Sequence, residues 1–185
     1  MICKIENKEY LFFASNREGS YGKLDIWFAE KETLTRFKKP INAGKKVNSI
    51  DNEITPFYDV KNRTLYFSSN WHKGLGGYDI FKSRGRSLNR LGLPQNLGSP
   101  INTSWNDMYY FIDSLSGVNY LASNREAKQG NKEGTCCNDI FSVEFPKPIP
   151  PTEIEIVTLE DLNNYLPVTL YFHNDCPPKR VFLLL

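Results

Sequence analysis

Hydrophobic and polar positions fall into short alternating runs separated by turn-rich polar segments, the pattern of β-strands. From Thr64 to Ser69, Leu65 and Phe67 alternate with Tyr66 and Ser68. Both faces carry apolar bulk, so the run predicts a strand covered on both sides. Ile54 to Asp59 predicts the strand before it, joined through the turn Asp59-Val60-Lys61-Asn62. A glycine-rich loop, Trp71 to Tyr78, leads into a third strand, Tyr78 to Lys82. Weaker apolar signals at Leu93 to Leu97 predict an outer fourth strand before Gly98-Ser99-Pro100.

This unit recurs. YLFFASNREGSYGKLDIWFAE begins at Tyr10, TLYFSSNWHKGLGGYDIFKS at Thr64 and VNYLASNREAKQGNKEGTCCNDIFSVEF at Val118. Asn16, Asn70 and Asn124 are spaced 54 and 54 apart. Asp25 and Asp79 keep the same spacing, and Asp139 follows by 60 because its loop is six residues longer. A second block, VNSIDNEITPFYDV from Val47 and INTSWNDMYYFIDS from Ile101, repeats at the same offset. It matches Asn48 with Asn102, Asn52 with Asn106 and Glu53 with Asp107. Four short antiparallel strands in about 54 residues, repeated in tandem, describe a β-propeller blade. Sandwich strands do not repeat their sequence, and no helical period spans the unit, so a sandwich and a helical solenoid are disfavoured. The expected fold is therefore all-β: a partial propeller of about three four-stranded antiparallel blades over residues 1–145. Met1 falls opposite Thr55, which shortens the first strand of the first blade.

Composition narrows the function classes. Hydrophobic residues are 40% and charged residues 24% of the 185, as in a folded domain. Lys and Arg number 23 against 21 Asp and Glu, a net charge of +2 that gives no reason to expect a nucleic-acid or membrane-surface partner. No apolar run approaches the roughly 18–20 residues of a membrane helix. The first residues, MICKIENKEYLFF, are interrupted by Lys4, Glu6, Lys8 and Glu9 and do not read as an export signal. Cys3, Cys136, Cys137 and Cys176 form no CxxC pair, and their spacing with His72 and His173 fits no zinc pattern. They read as unpaired thiols or a local pair.

At the repeated motifs a family becomes visible. LYFSSNWHKGLGGYDIF and LFFASNREGSYGKLDIW resemble the WD-like repeats of TolB-type β-propellers, an apolar strand ending in Phe-Ser-Ser, a polar loop, then Gly-x-Asp-Ile-Tyr/Phe. The third unit, with TCCNDIF after its enlarged loop, is similar to the last blade in propeller-bearing OmpA-family envelope proteins of Bacteroidetes-type bacteria. TLEDLNNYLPVTLYFHND resembles the start of an OmpA-like domain. The resemblance implies a periplasmic, outer-membrane-associated binding or scaffold module. Its partner would be an envelope protein or a glycan, met through loops on one propeller face. PKPIPPTE, residues 146–153, reads as a stiff linker, and residues 154–185 as a shortened tail in which Thr158 with Asp161 could cap a helix through Leu166. The tail ends in CPPKRVFLLL, so the chain reads as a fragment of a longer envelope protein.

No catalytic constellation, cofactor motif or metal motif stands out. His72 occupies a loop position held by Arg-Glu in the sister units and reads as a surface residue, while His173 has no Gly-x-Ser-x-Gly companion. Gly74, Gly76 and Gly77 lack the Lys-Ser/Thr of a phosphate loop. The prominent residues, Asn16, Asp25, Asn70, Asp79, Asn124 and Asp139, recur once per unit, which suits a structural task better than an active site. Each Asp could accept backbone N–H bonds and set the turn into its strand. Calcium ligation is the alternative for the same oxygens. Trp27, Trp71 and Trp105 are candidates for blade packing or, if exposed, for stacking on sugars. The rival function is the propeller domain of a secreted glycosidase or peptidase, which would call for an unrepeated acidic pair or an attached hydrolase domain.

Overall fold

The computed structural model describes residues 1–113, 115–126 and 138–143, all within one compact unit, Met1–Phe145. The linker 146–153, the tail 154–185 with its expected helix, and Cys136, Cys137, Cys176 and His173 lie outside the described residues.

The described chain is all strand and loop. β1 (Ile2–Ile5), β2 (Lys8–Ser15), β3 (Asp25–Glu30) and β4 (Ile41–Asn42) make the first sheet. β5 (Glu53–Asp59), β6 (Thr64–Ser69), β7 (Asp79–Arg84) and β8 (Gln95–Asn96) make the second. β9 (Asp107–Ile112), β10 (Asn119–Ser123) and β11 (Asp139–Val143) make the third. Within each sheet the strands pair antiparallel in chain order, so the chain builds three consecutive blades of four, four and, among the described residues, three strands. The repeat is visible in the register. Ser15 faces Asp25 and Ser69 faces Asp79, each pair 54 residues from the other.

The expected strand at Tyr78–Lys82 is displaced slightly: β7 starts at Asp79 and runs on to Arg84, where it pairs with Thr64. The fourth strand shrinks to Gln95–Asn96. Pro94 has no N–H to give a ladder, and Gly98 turns the chain at φ 67.

Blades adhere through apolar side chains on the facing sheets. Phe12, Ile26 and Phe28 of the first blade meet Tyr58, Leu65 and Phe67 of the second in one buried cluster, with Phe12 and Tyr58 stacked at 5.2 Å. Ile80 of the second meets Tyr110 and Leu121 of the third in another. Flat sheets with both faces covered need bulk on both sides, which explains the nearly unbroken burial of β3 and β6. Backbone bonds stitch the same seams: the Glu53 N–H donates to Leu24 O at 2.6 Å, and the Asp107 N–H to Tyr78 O at 2.7 Å. Cys3 is a free thiol packed against the first core, and burial pushes its pKa up to about 11.

Candidate functional site

Of the repeated polar residues, Asp25 and Asp79 are buried and bond the backbone, while Asn16 and Asn70 are exposed. Asp25 is fully buried at the head of β3. Its carboxylate accepts the N–H groups of Tyr21 (2.8 Å) and Gly22 (3.2 Å) and the side-chain amide of Asn42 (2.7 Å). Asp79 does the same one blade on, accepting from Leu75 (2.7 Å) and Gly76 (3.1 Å). These loops need glycine where they touch the next blade. A Cβ on Gly76 would lie 2.0 Å from Trp105 O, and one on Gly22 2.5 Å from Ser49 O. Asp139 heads β11 half-buried, opposite Ser123. Asn70 and Asn124 each accept an N–H from the start of their own blade, that of Asn52 at 3.1 Å and of Asn106 at 2.8 Å. Asn16 makes no such bond among the described residues.

A second recurring element carried no assigned role in the sequence. Asn102 is buried between blades; its Oδ1 accepts the Ile80 N–H at 2.8 Å and its Nδ2 donates to Ile80 O at 2.8 Å. Nδ2 also reaches Asn96 Oδ1 at 2.8 Å. Asn48 repeats this on Ile26 and Asn42. A primary amide presents one acceptor beside two donors, so it can continue a β-ladder where no strand does. The cue was the fixed offset of Asn48 and Asn102; the contact itself requires the fold.

The first position of the next blade holds a buried acid. Glu53 accepts the Ser49 N–H (2.7 Å) and the hydroxyls of Ser49 (2.6 Å) and Ser69 (2.7 Å). Asp107 accepts the Thr103 N–H (2.6 Å) and hydroxyl (2.9 Å), and Arg125 Nη2 completes it at 2.6 Å. The loop histidine His72 is not a free surface residue. Its ring packs edge-on to Phe67, its Nε2 lies 2.8 Å from Val47 O, and Glu53 Oε1 is 3.9 Å away. The loop folds back because the blade seam has room for a flat ring beside Phe81. Among the described residues, no group of three or more His, Cys, Asp or Glu is arranged to hold a metal ion.

The tryptophans divide. Trp27 is buried in β3 under the Arg17 guanidinium, Trp105 is half-buried, and Trp71 is exposed. More aromatic surface lies along β5 and β9, the first strands of the second and third blades. Phe12, Phe57, Tyr109 and Phe111, with Met1 and Thr55, border an open groove of 560 Å³. Tyr109 is 63% exposed, and the Phe57 and Phe111 rings meet edge-on at 5.2 Å. A bulge interrupts β5 between Ile54 and Phe57, and another interrupts β9 opposite Tyr120 and Ala122. At the equivalent positions Thr55 and Tyr109 the backbone takes φ 53 and 55. That conformation is costly for a β-branched or aromatic residue, and such strain gathers at places where side chains are re-aimed for use. The sequence clue, aromatics at Phe57 and Phe111 with one offset, was present, but the half-burial of Phe57 and the exposure of Phe111 were not.

The arrangement around Asp79 makes the structural and metal roles separable. Oδ2 takes both N–H bonds while Oδ1 is buried without a partner among the described residues. Asp79→Ala should cost about 1–3 kcal/mol, because two loop donors lose their acceptor. Asp79→Asn keeps one oxygen for both donors and should cost clearly less. Melting temperatures of the parent and both variants, with and without chelator, check this. A parent melting point that falls on chelation would show the oxygens bind an ion instead.

No protein-family model, curated protein or solved structure matches this chain.

Proposed function

We propose that the chain is a noncatalytic binding or scaffold module, the propeller part of an OmpA-family envelope protein located in the periplasm and associated with the outer membrane. The observation that carries the noncatalytic reading is the use made of buried carboxylates. Among the described residues these are Asp25, Glu53, Asp79 and Asp107, two pairs of equivalents, one per seam. Each accepts backbone N–H bonds that close a loop. An active site is normally assembled once, from groups that the repeat does not share.

The envelope location is supported by the TolB-type motifs in LYFSSNWHKGLGGYDIF and LFFASNREGSYGKLDIW and by the OmpA-like start in TLEDLNNYLPVTLYFHND. The exposed Tyr109 and Phe111 of β9 supply apolar contact area of the kind that marks interaction surfaces. An envelope protein or a glycan would be the partner. Cell fractionation of the source bacterium, followed with an antibody against the chain, tests the proposal. The antigen is expected in the outer-membrane and peptidoglycan fraction. Recovery in the cytosol, or attached to a hydrolase domain, overturns it.

A further inference from the structure

The first and second blades pair their strand ends alike at one corner and carry opposite charge there. In the first blade the Lys31 N–H donates to Glu9 O at 2.8 Å, and the Lys38 N–H to Glu30 O at 2.9 Å. In the second, Gly85 donates to Arg63 O at 3.2 Å and Gly92 to Arg84 O at 3.0 Å, each residue 54 positions on. The isolated bridge Lys31 to Phe37 likewise recurs as Gly85 to Leu91. The strand ends at the two corners therefore pair alike, while the turns between them differ: Glu32 and Thr33 donate to Arg36 O in the first, and Arg90 donates to Ser87 O in the second.

The charged side chains of the two corners are inverted. Glu9, Glu30 and Glu32 become Arg63, Arg84 and Arg86. In the first blade the acids are neutralised locally: Lys31 meets Glu9 at 2.6 Å, Lys38 and Lys8 meet Glu30 at 2.7 and 3.2 Å, and Arg36 meets Glu32 at 3.3 Å. The Lys31 hydrogen bond holds the Glu9 carboxyl below its usual range, and Lys38 does so for Glu30. In the second blade the lysine positions are Asn62, Gly85 and Gly92, and Arg36 is matched by Arg90. No acid remains at these positions, and the nearby Asp59 is engaged by Asn62 through its N–H and amide. Arg63, Arg84 and Arg86 are exposed, and their side chains make no hydrogen bond or ion pair among the described residues. With Gly85 they line one depression of 360 Å³. Gly85 itself has no room for a side chain, since a Cβ there would lie 2.4 Å from Arg90 O.

We propose that this corner of the second blade is an oxyanion site that takes a phosphate monoester or pyrophosphate group. Three arginines lining one hollow, with no hydrogen bond or ion pair to their side chains among the described residues, leave a local excess of positive charge that an anion would offset. A phosphate monoester brings roughly −1.5 to −2 charges and three acceptor oxygens, against one charge and two oxygens for a carboxylate. The planar fork of arginine suits those oxygens, and the volume admits a phosphate group with a short carrier. The inference is independent of where in the cell the protein works.

Titration calorimetry of the full chain at low ionic strength, with inorganic pyrophosphate, phosphate and acetate as probes, tests it. Pyrophosphate should bind best, acetate least, and affinity should fall as salt is raised toward about 0.15 M. Arg84→Glu, the charge that the first blade carries there, should weaken pyrophosphate binding about tenfold or more with little change in melting temperature. A triple Arg63→Gln, Arg84→Gln, Arg86→Gln variant should abolish it, and Lys45→Glu, outside this depression, should not. Co-sedimentation with phosphatidylcholine vesicles, with and without phosphatidic acid, separates the sources. Retention that depends on phosphatidic acid and on Arg84 identifies a lipid headgroup; binding of soluble pyrophosphate alone identifies a free or small-molecule phosphate. No binding, or weak binding equal for all three anions and unchanged by the arginine variants, overturns the site.

Discussion

Arg125→Ala is expected to destabilise the protein by about 3–5 kcal/mol, because it leaves the buried Asp107 carboxylate without its cation. Asp107 is fully buried, and the Arg125 side chain is 16% exposed, so little water is at hand to replace the guanidinium. One Arg125 nitrogen meets Asp107 Oδ1 at 2.6 Å and also reaches Ile101 O, while the other terminal nitrogen reaches Pro100 O at 2.9 Å. Nε bonds Ser123 Oγ at 3.0 Å, and the guanidinium lies over the Phe141 ring. The side chain therefore ties β10 and β11 to the loop that ends the second blade. Arg125→Lys should recover only part of the loss, since one ammonium cannot reproduce the fork. The double variant Arg125→Ala, Asp107→Ala should be less destabilised than the sum of the single changes, because no orphaned charge remains. Urea unfolding of the four proteins measures the coupling. Additive losses would mean that the pair does not act as a unit.

The second large effect is expected at the amide plugs. Asn102→Ala removes the partner of the Ile80 N–H, one of two donors to Ile80 O, and a donor to Asn96. Ile80 O keeps the Leu97 N–H at 3.1 Å, so the unsatisfied Ile80 N–H and the lost packing set the cost, about 2–4 kcal/mol. Asn102→Asp should be worse than its near-identical shape suggests. It keeps the acceptor for Ile80 N–H but turns the amide donor into an oxygen facing Ile80 O and Asn96 Oδ1. Asn48→Ala should cost a similar amount, because Asn48 accepts the Ile26 N–H and donates to Ile26 O and Asn42 Oδ1 one blade earlier. An exposed control, Asn89→Ala, should stay within about 0.5 kcal/mol. Denaturation midpoints with unchanged slopes would assign the loss to the folded state. A neutral Asn102→Ala would refute the ladder role.

Much of this architecture is local and so was written along the chain. Leu65 and Phe67 alternating with Tyr66 and Ser68 report a two-faced strand, and the turn at Asp59 to Asn62 marks its start, because a strand's period is that of its own backbone. The constant offset of two motif blocks divides the chain into blades, since each blade must solve the same folding problem again. The weak signal at Leu93 to Leu97 located the fourth strand but not its shortness, which comes from Pro94 and the turn at Gly98. The inversion of Glu9, Glu30 and Glu32 to Arg63, Arg84 and Arg86 could also be read by offset alone.

What each residue touches could not. Asn102 meets Ile80, 22 positions away, and Arg125 meets Asp107 across 18, at distances set by the approach of one sheet to the next. His72 looked like a loop side chain until the fold showed the slot between Val47 and Phe81 that receives it. The three arginines become one hollow only when the β5–β6 turn and the end of β7 are brought side by side. Strand and turn preferences are decided by a residue's own backbone and nearest neighbours. The pairing of a buried charge or amide is decided by whichever groups the packed seam leaves without water, and those come from distant parts of the chain.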